Sequence, residues 1–247
     1  TITADTIDCS AQSPLTPLFN DYNFPYHGTF NGNNKIISNL TIADTSPGVE
    51  NYSGNSGLFG NVTNATIKNV ILDDSSYIEG DYCIGSVVGN ALNSTLINNI
   101  SHAEVSSTIN SGGFGGIVGC YVQDNRAADN NQISNNTYDG IFLQDNGTLQ
   151  CDAGGIVGSI YQSLEAGSLV SLTIDGNSVN SVFGGASHCG VGGLAGTIYQ
   201  SAEEFSTNTP LVITHNIIAG KVNGSQDVGG LLGVLSQQTS SSSNTIT

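Results

Sequence analysis

Basic side chains are nearly missing: 247 residues hold four Lys and Arg against twenty Asp and Glu, a formal charge of -16. Lys35, Lys68, Arg126 and Lys221 lie far apart, so no basic stripe can follow a phosphate backbone and nucleic acid is excluded as a partner. Anionic membrane surfaces are disfavoured on the same ground. Charge of either sign is scarce, at 10% of residues against about 25% in ordinary soluble domains, so the surface must be built from Ser, Thr, Asn and Gly. No apolar run approaches the length that crosses a bilayer, and no direct membrane insertion is expected. The five cysteines, Cys9, Cys83, Cys120, Cys151 and Cys189, are too few for a small disulfide scaffold and lack the C-x-x-C pairs of zinc sites. The chain opens on Thr1 with neither an initiator methionine nor a signal-peptide profile, which reads as a processed or excised piece.

Catalytic signatures are also lacking. The histidines at 27, 102, 188 and 215 are isolated and none stands in H-E-x-x-H. There is no G-x-S-x-G elbow, and the run Gly112 to Gly116 lacks the Lys-Ser/Thr and helix of a phosphate loop. A β-helix lyase would need a strong cation, for which only Arg126 offers itself. A glycosidase needs two carboxylates facing one cleft. Asp73-Asp74 and Glu203-Glu204 are adjacent, and neighbours along a strand point to opposite faces. The expectation is therefore a non-catalytic protein without a cofactor. Weak calcium binding at Asp73/Asp74/Glu79/Asp81 or Asp124/Asp129 is the one exception the acidic loops allow.

What is abundant is repetition. A short pattern recurs six times, as Gly57 to Gly60, Ser86 to Gly89, Gly116 to Gly119, Gly155 to Gly158, Gly193 to Gly196 and Gly230 to Gly233. Its closing glycines, Gly60, Gly89, Gly119, Gly158, Gly196 and Gly233, are 29, 30, 39, 38 and 37 residues apart. A second, Ile-rich element lies between the copies, as Ile36 to Leu40, Thr66 to Val70, Leu96 to Ile100, Gln132 to Asn136, Leu172 to Asn177 and Val212 to Ile217. The chain stops at Asn244 to Thr247, where a seventh such element would begin, which reads as an array cut within a longer one. Four residues after every closing glycine stands an amide: Asn64, Asn93, Gln123, Gln162, Gln200 and Gln237. Stacked copies would turn these into a hydrogen-bonded amide ladder.

Short apolar runs bounded by Gly, Asn, Ser and Asp form a strand-and-turn vocabulary, and helical periodicity is almost absent. The prediction is an all-β fold: a parallel β-helix or β-solenoid of six repeats of about 30 to 38 residues. Residues 1–25 would form a lead-in or cap, and 26–247 a single solenoid domain. The glycines would admit tight corners and close backbone approach. Extra residues of the fourth to sixth copies should fall at one corner, and they lie mainly between the amide and the next Ile-rich strand. Cys151 and Cys189 each stand seven residues before a closing glycine, which predicts a disulfide between adjacent coils. By the same register Cys9 and Cys120 have no partner.

The tetrad resembles the GLUG motif of bacterial surface proteins. The stretch His27-Gly28-Thr29-Phe30-Asn31-Gly32, continuing through Ile36 to Leu40, is similar to the lead-in that often precedes such arrays. The resemblance covers about residues 26–247 and implies a β-solenoid on an exported protein, often an adhesin or stalk. The longer copies and the low Lys content depart from the short bacterial pattern. A secreted or cell-surface location is expected, and nine N-x-S/T sequons offer glycosylation acceptors at Asn39, Asn51, Asn61, Asn64, Asn93, Asn99, Asn135, Asn146 and Asn223. Tyr121, Tyr161 and Tyr199 stand near one register and would form a line of aromatics that contacts a glycan or a neighbouring subunit. The partner would be a surface glycan or protein. Alternatively, copies of the chain would join end to end as a filament or surface layer. A glycan-active β-helix enzyme is the minor reading.

Overall fold

The computed structural model describes residues 5–12, 14–43, 54–107, 112–124, 131–144, 152–164, 170–181, 183–184, 190–202, 211–224, 226–238 and 244–247. It is all-β, built from parallel sheets whose strands recur once per repeat, and among the described residues only a 3-10 turn at Ser10–Gln12 stands besides them. Five faces succeed one another along the chain and then repeat, so one repeat makes one turn of a solenoid. Face I begins at Thr6–Asp8, Ile36–Ser38 and Ile71–Leu72 and face II at Thr41–Ala43 and Tyr77–Gly80. Face III begins at Ile84–Gly85, face IV at Phe59–Thr63 and Val88–Leu92, and face V at Thr29–Asn31 and Thr66–Lys68. Faces I and V reach seven strands and face IV reaches six, so seven turns stack along one axis.

The register is strict. On face V, Phe30, Ile67, Leu96, Ile133, Ile174, Ile213 and Ile246 stand one above another. From Ile67 to Ile213 this column is fully buried. Face IV stacks Val62, Ala91, Tyr121, Ile160 and Ile198 towards the same interior. Alternation with a period of two puts these side chains inside and their neighbours outside.

The stretch preceding the first tetrad stacks as a turn of its own. Thr6–Asp8 pairs with Ile36–Ser38, and Leu15, Leu18 and Tyr26 bridge to Ile42, Phe59 and Val62. Aromatic packing holds this end together, with Tyr26 and Phe30 5.4 and 5.1 Å from the Phe59 ring. The Ile-rich elements need one correction. Ile36–Ser38 pairs with Ile71–Leu72 on face I, whereas Thr66–Lys68 pairs with Thr29–Asn31 on face V. Both segments show the same local pattern, a short apolar strand closed by Asn, so local pattern could not separate them.

The glycine tetrad is the place where face III folds back on face IV. A β-carbon on Gly158, Gly196 or Gly233 would lie 2.6 Å from the carbonyl oxygen of the closing glycine one turn earlier. None of these glycines has positive φ, so lack of space, and not a tight corner, excludes a side chain there. The left-handed corners belong mainly to asparagine: Asn64 and Asn93 between faces IV and V, then Asn69, Asn98 and Asn135 between faces V and I. Residues 125–130, 165–169, 203–210 and 239–243, between faces IV and V, lie outside the described residues.

Candidate functional site

Two polar ladders run along the stack. In the first, Gln162 donates to Gln123 Oε1 (2.7 Å), Gln200 to Gln162 Oε1 (2.6 Å) and Gln237 to Gln200 Oε1 (2.8 Å). The Gln123 amide donates onward to the Ser171 carbonyl. Asn64 and Asn93, expected in the same column, do not join it. Each takes a left-handed φ and turns the chain, and Asn93 instead exchanges hydrogen bonds with Asp124.

The second ladder is one that sequence reasoning missed. Asn99, Asn136, Asn177 and Asn216 stack at the bend between faces V and I, the first three fully buried. Asn136 donates to the Leu96 carbonyl and to Asn177 Oδ1, and its own Oδ1 accepts from the Asn99 backbone and side chain. Asn177 and Asn216 repeat the scheme. The signal was present, since Asn recurs two residues past the face V strand in four consecutive repeats.

Burial revises the glycosylation acceptors. Asn61, Asn93 and Asn99 are buried, with no room for a glycan in the folded chain, whereas Asn39, Asn64, Asn135 and Asn223 are exposed. Asn51 and Asn146 lie outside the described residues.

The described disulfide joins Cys83 to Cys120, with Cα atoms 5.3 Å apart. Cys120 therefore has a partner, contrary to expectation. Cys83 precedes the face III strand of the third turn and Cys120 lies on face IV of the fourth. They meet because the glycine arch lays one face against the other, a crossing that a rule based on offsets within one column does not contain. Cys151 and Cys189 lie outside the described residues, and Cys9 is a free, half-buried thiol whose pKa burial raises.

The three tyrosines do not form one line. Tyr121 faces the interior, fully buried, and donates its hydroxyl to the Ser94 carbonyl, with its pKa raised by burial. It stands two residues after its closing glycine, while Tyr161 and Tyr199 stand three after theirs, and successive residues of a strand face opposite ways. Tyr161 and Tyr199 do stack outside, with ring centroids 5.2 Å apart and planes 12° from parallel.

Tyr161 opens onto a groove of about 490 Å³ shared with Tyr22, Tyr82, Asn90 and Val122, with the disulfide in its lining. Residues of the first, third, fourth and fifth turns thus meet on one surface. Burial, followed by the nearby charge of Asp152, pushes the Tyr161 hydroxyl up to about 12. Asp152 accepts from the Thr197 hydroxyl at 2.6 Å, and burial raises its own pKa.

A second concavity of about 530 Å³ is acidic, lined by Asp73, Asp74, His102, Glu104 and Asp139. The expectation that Asp73 and Asp74 face opposite ways fails, because both lie in the turn after Ile71–Leu72 and not within the strand. Asp73 is engaged locally, accepting from Ser75 and Ser76, and His102 pairs with Asp139. The proposed calcium cluster is divided: Glu79 sits on a face II strand, Asp81 is buried, and neither lines this groove. Asp129, of the other proposed cluster, lies outside the described residues. Among the described residues no group of three or more His, Cys, Asp or Glu is placed to hold a metal. Among the described residues no helix is long and apolar enough to cross a membrane. Comparison with protein-family models, curated proteins and solved structures returns no match, so the reading of these surfaces rests on their geometry.

Proposed function

We propose that the chain is an exported, non-catalytic solenoid that acts at a cell surface as an adhesin or as the stalk that displays one. The observation that carries this reading is where the recurring residues go. Closing glycines, glutamines and buried asparagines all serve contacts between turns, and none converges on a reaction centre. A repeat devoted to stacking makes a stiff rod, which suits presentation at a distance. The inter-turn disulfide and the resemblance of the tetrads to GLUG-motif surface proteins favour an oxidising, extracellular setting. Antibody raised against the folded domain should label intact, unpermeabilised source cells, and protease shaving of those cells should remove the signal. Labelling only after permeabilisation would reject the proposal.

A filament subunit is the second reading, favoured by Ile217, Val228, Leu235 and Ile246 of the seventh turn, which are exposed apolar side chains. Further turns, or the first turn of another copy, would cover them. Electron microscopy separates the two: dispersed rods support the adhesin or stalk, long fibres the filament. The minor reading, a glycan-active enzyme, would place its chemistry in the acidic groove around Asp139, and release of reducing ends from polysaccharides is its assay.

A further inference from the structure

We infer that the Cys83–Cys120 disulfide is a redox switch, opened by a small dithiol that reaches it through the groove it lines. The inference goes beyond the surface reading and is tested without it. Faces III and IV meet along a seam to which each turn contributes residues from both sides. Ser56, Ile84, Phe114 and Ala153 pair in succession, so the residues just before them share one column on face III: Asn55, Cys83, Gly113 and Asp152. The facing column on face IV is Asn61, Asn90, Cys120, Ser159 and Thr197.

Hydrogen bonds hold the seam on either side of the disulfide. Asn55 donates to Asn61 Oδ1 at 2.8 Å, and Thr197 donates to Asp152 at 2.6 Å. Between them the tie is covalent, from Cys83 to Cys120. The next place along face III is Gly113, which has no side chain to reach across, and a β-carbon there would already lie 2.6 Å from Ser159 Oγ. One bond therefore closes the middle of the seam, and reduction leaves two thiols, weak hydrogen-bonding groups, in its place.

The bond can also be reached. Cys83 is 2% and Cys120 6% exposed, yet both line the open groove of about 490 Å³, together with Asn90 and Gly112. A space of that size admits a small molecule. Thiol exchange depends on access to sulfur, so a disulfide in a groove wall is attacked in the folded chain, whereas one sealed in a core waits for unfolding. A thiolate of the dithiol attacks Cys120 Sγ, forms a mixed disulfide and releases the Cys83 thiolate. The second sulfur of the reagent then displaces Cys120, and the reagent closes as a cyclic disulfide. Two electrons and the two reagent protons end on the cysteines. Oxidised glutathione, itself reduced to two thiols, reverses the step. Pairings of both faces with neighbouring turns remain, so the stack persists while the seam parts.

The test is exposure of the folded chain, with Cys9→Ser to remove the free thiol, to dithiothreitol without denaturant. Differential alkylation and mass spectrometry follow the Cys83 and Cys120 peptides. Their reduction should speed up in proportion to dithiothreitol concentration. Hydrogen exchange at Ile84–Gly85 and Val118–Asp124 should then rise at least about tenfold, while the column from Ile67 to Ile213 stays protected. Oxidised glutathione should restore the original pattern, and Cys83→Ser with Cys120→Ser should show the opened pattern without reagent. A reduction rate that does not depend on dithiothreitol concentration, unchanged exchange after reduction, or faster exchange along the whole stack would overturn the inference.

Discussion

The early and late turns of this solenoid use the same sequence position in opposite ways. In the second and third turns the residue four past the closing glycine is Asn64 or Asn93, which takes φ near 49° and 48° and reverses the chain at once into the face V strand. In the fourth to seventh turns it is glutamine, the face IV strand runs on to seven or eight residues, and the amides join into a ladder. Asparagine tolerates the left-handed region, and from there Asn93 meets Asp124 rather than another amide of its column, whereas glutamine on an extended strand reaches the glutamine one turn of about 4.8 Å away. The buried asparagine ladder begins one turn earlier than the glutamines, at Asn99 of the third turn, and the second turn has Val70 in that place, donating its N–H to Asn99 Oδ1. Early turns are held by aromatic packing around Phe59, late turns by polar ladders, and the Cys83–Cys120 bridge joins them where the change occurs.

The contrast can be broken by removing each half's own support. Phe59→Ala, at a fully buried ring, should cost about 4 kcal/mol and lower hydrogen-exchange protection mainly in the first three turns. Equal loss along the whole stack would show that the halves are not distinct. Asn136→Ala should cost about 3 kcal/mol, because the Leu96 carbonyl and the Asn99 N–H lose their buried partner, with loss of protection centred on the late turns. Replacing Cys83 and Cys120 by serine removes a cross-link of sequence separation 37 and should cost about 3 kcal/mol by chemical denaturation. Its sharper outcome is two-step unfolding, since the bridge spans the boundary between the halves.

A matched pair sharpens the comparison at the shared position itself. Asn64→Gly should be within a few tenths of a kcal/mol of neutral, because glycine accepts its positive φ. Gln162→Gly should cost about 2 kcal/mol, losing two ladder hydrogen bonds and gaining backbone freedom within a strand. Equal costs would refute the two-role interpretation. The smallest effect expected is at Asp152, whose pKa burial raises above the ordinary 3.8. Ionisation of that carboxyl opposes folding, so its contribution to stability is present below pH 3.8 and is lost as pH rises through the folded value. Asp152→Asn, which keeps an acceptor for Thr197, should raise the melting temperature at pH 7 and leave it unchanged near pH 3.

Stacking, one turn per repeat, was legible because the closing glycines recur at fixed register, and so was the glutamine ladder. The asparagine corners were not, since Asn64 and Gln123 differ in role through the chain just beyond each of them: Thr66 begins the next strand at once after Asn64, while a longer segment separates Gln123 from its next strand. The disulfide was hidden because Cys83 stands six before its closing glycine and Cys120 one after, offsets that only the fold-back of face III on face IV reconciles. Tyr121 was placed on the wrong side by a single residue, which on a strand reverses direction. The groove was invisible for a related reason: Tyr22, Tyr82 and Tyr161 share no sequence register and come together only through the third dimension of the stack.

Thr29 and Val212 occupy one column of face V, five turns apart through Thr66, Thr95, Gln132 and Thr173. Spin labels on keto side chains introduced at these two positions leave the native cysteines untouched, and pulsed dipolar spectroscopy then reads their separation. Stacking of one repeat per turn requires a narrow distribution centred at about 24 Å between the backbone sites, allowing for the label arms. A broad distribution, or one centred far beyond that distance, would mean that the repeats do not pile up along a common axis.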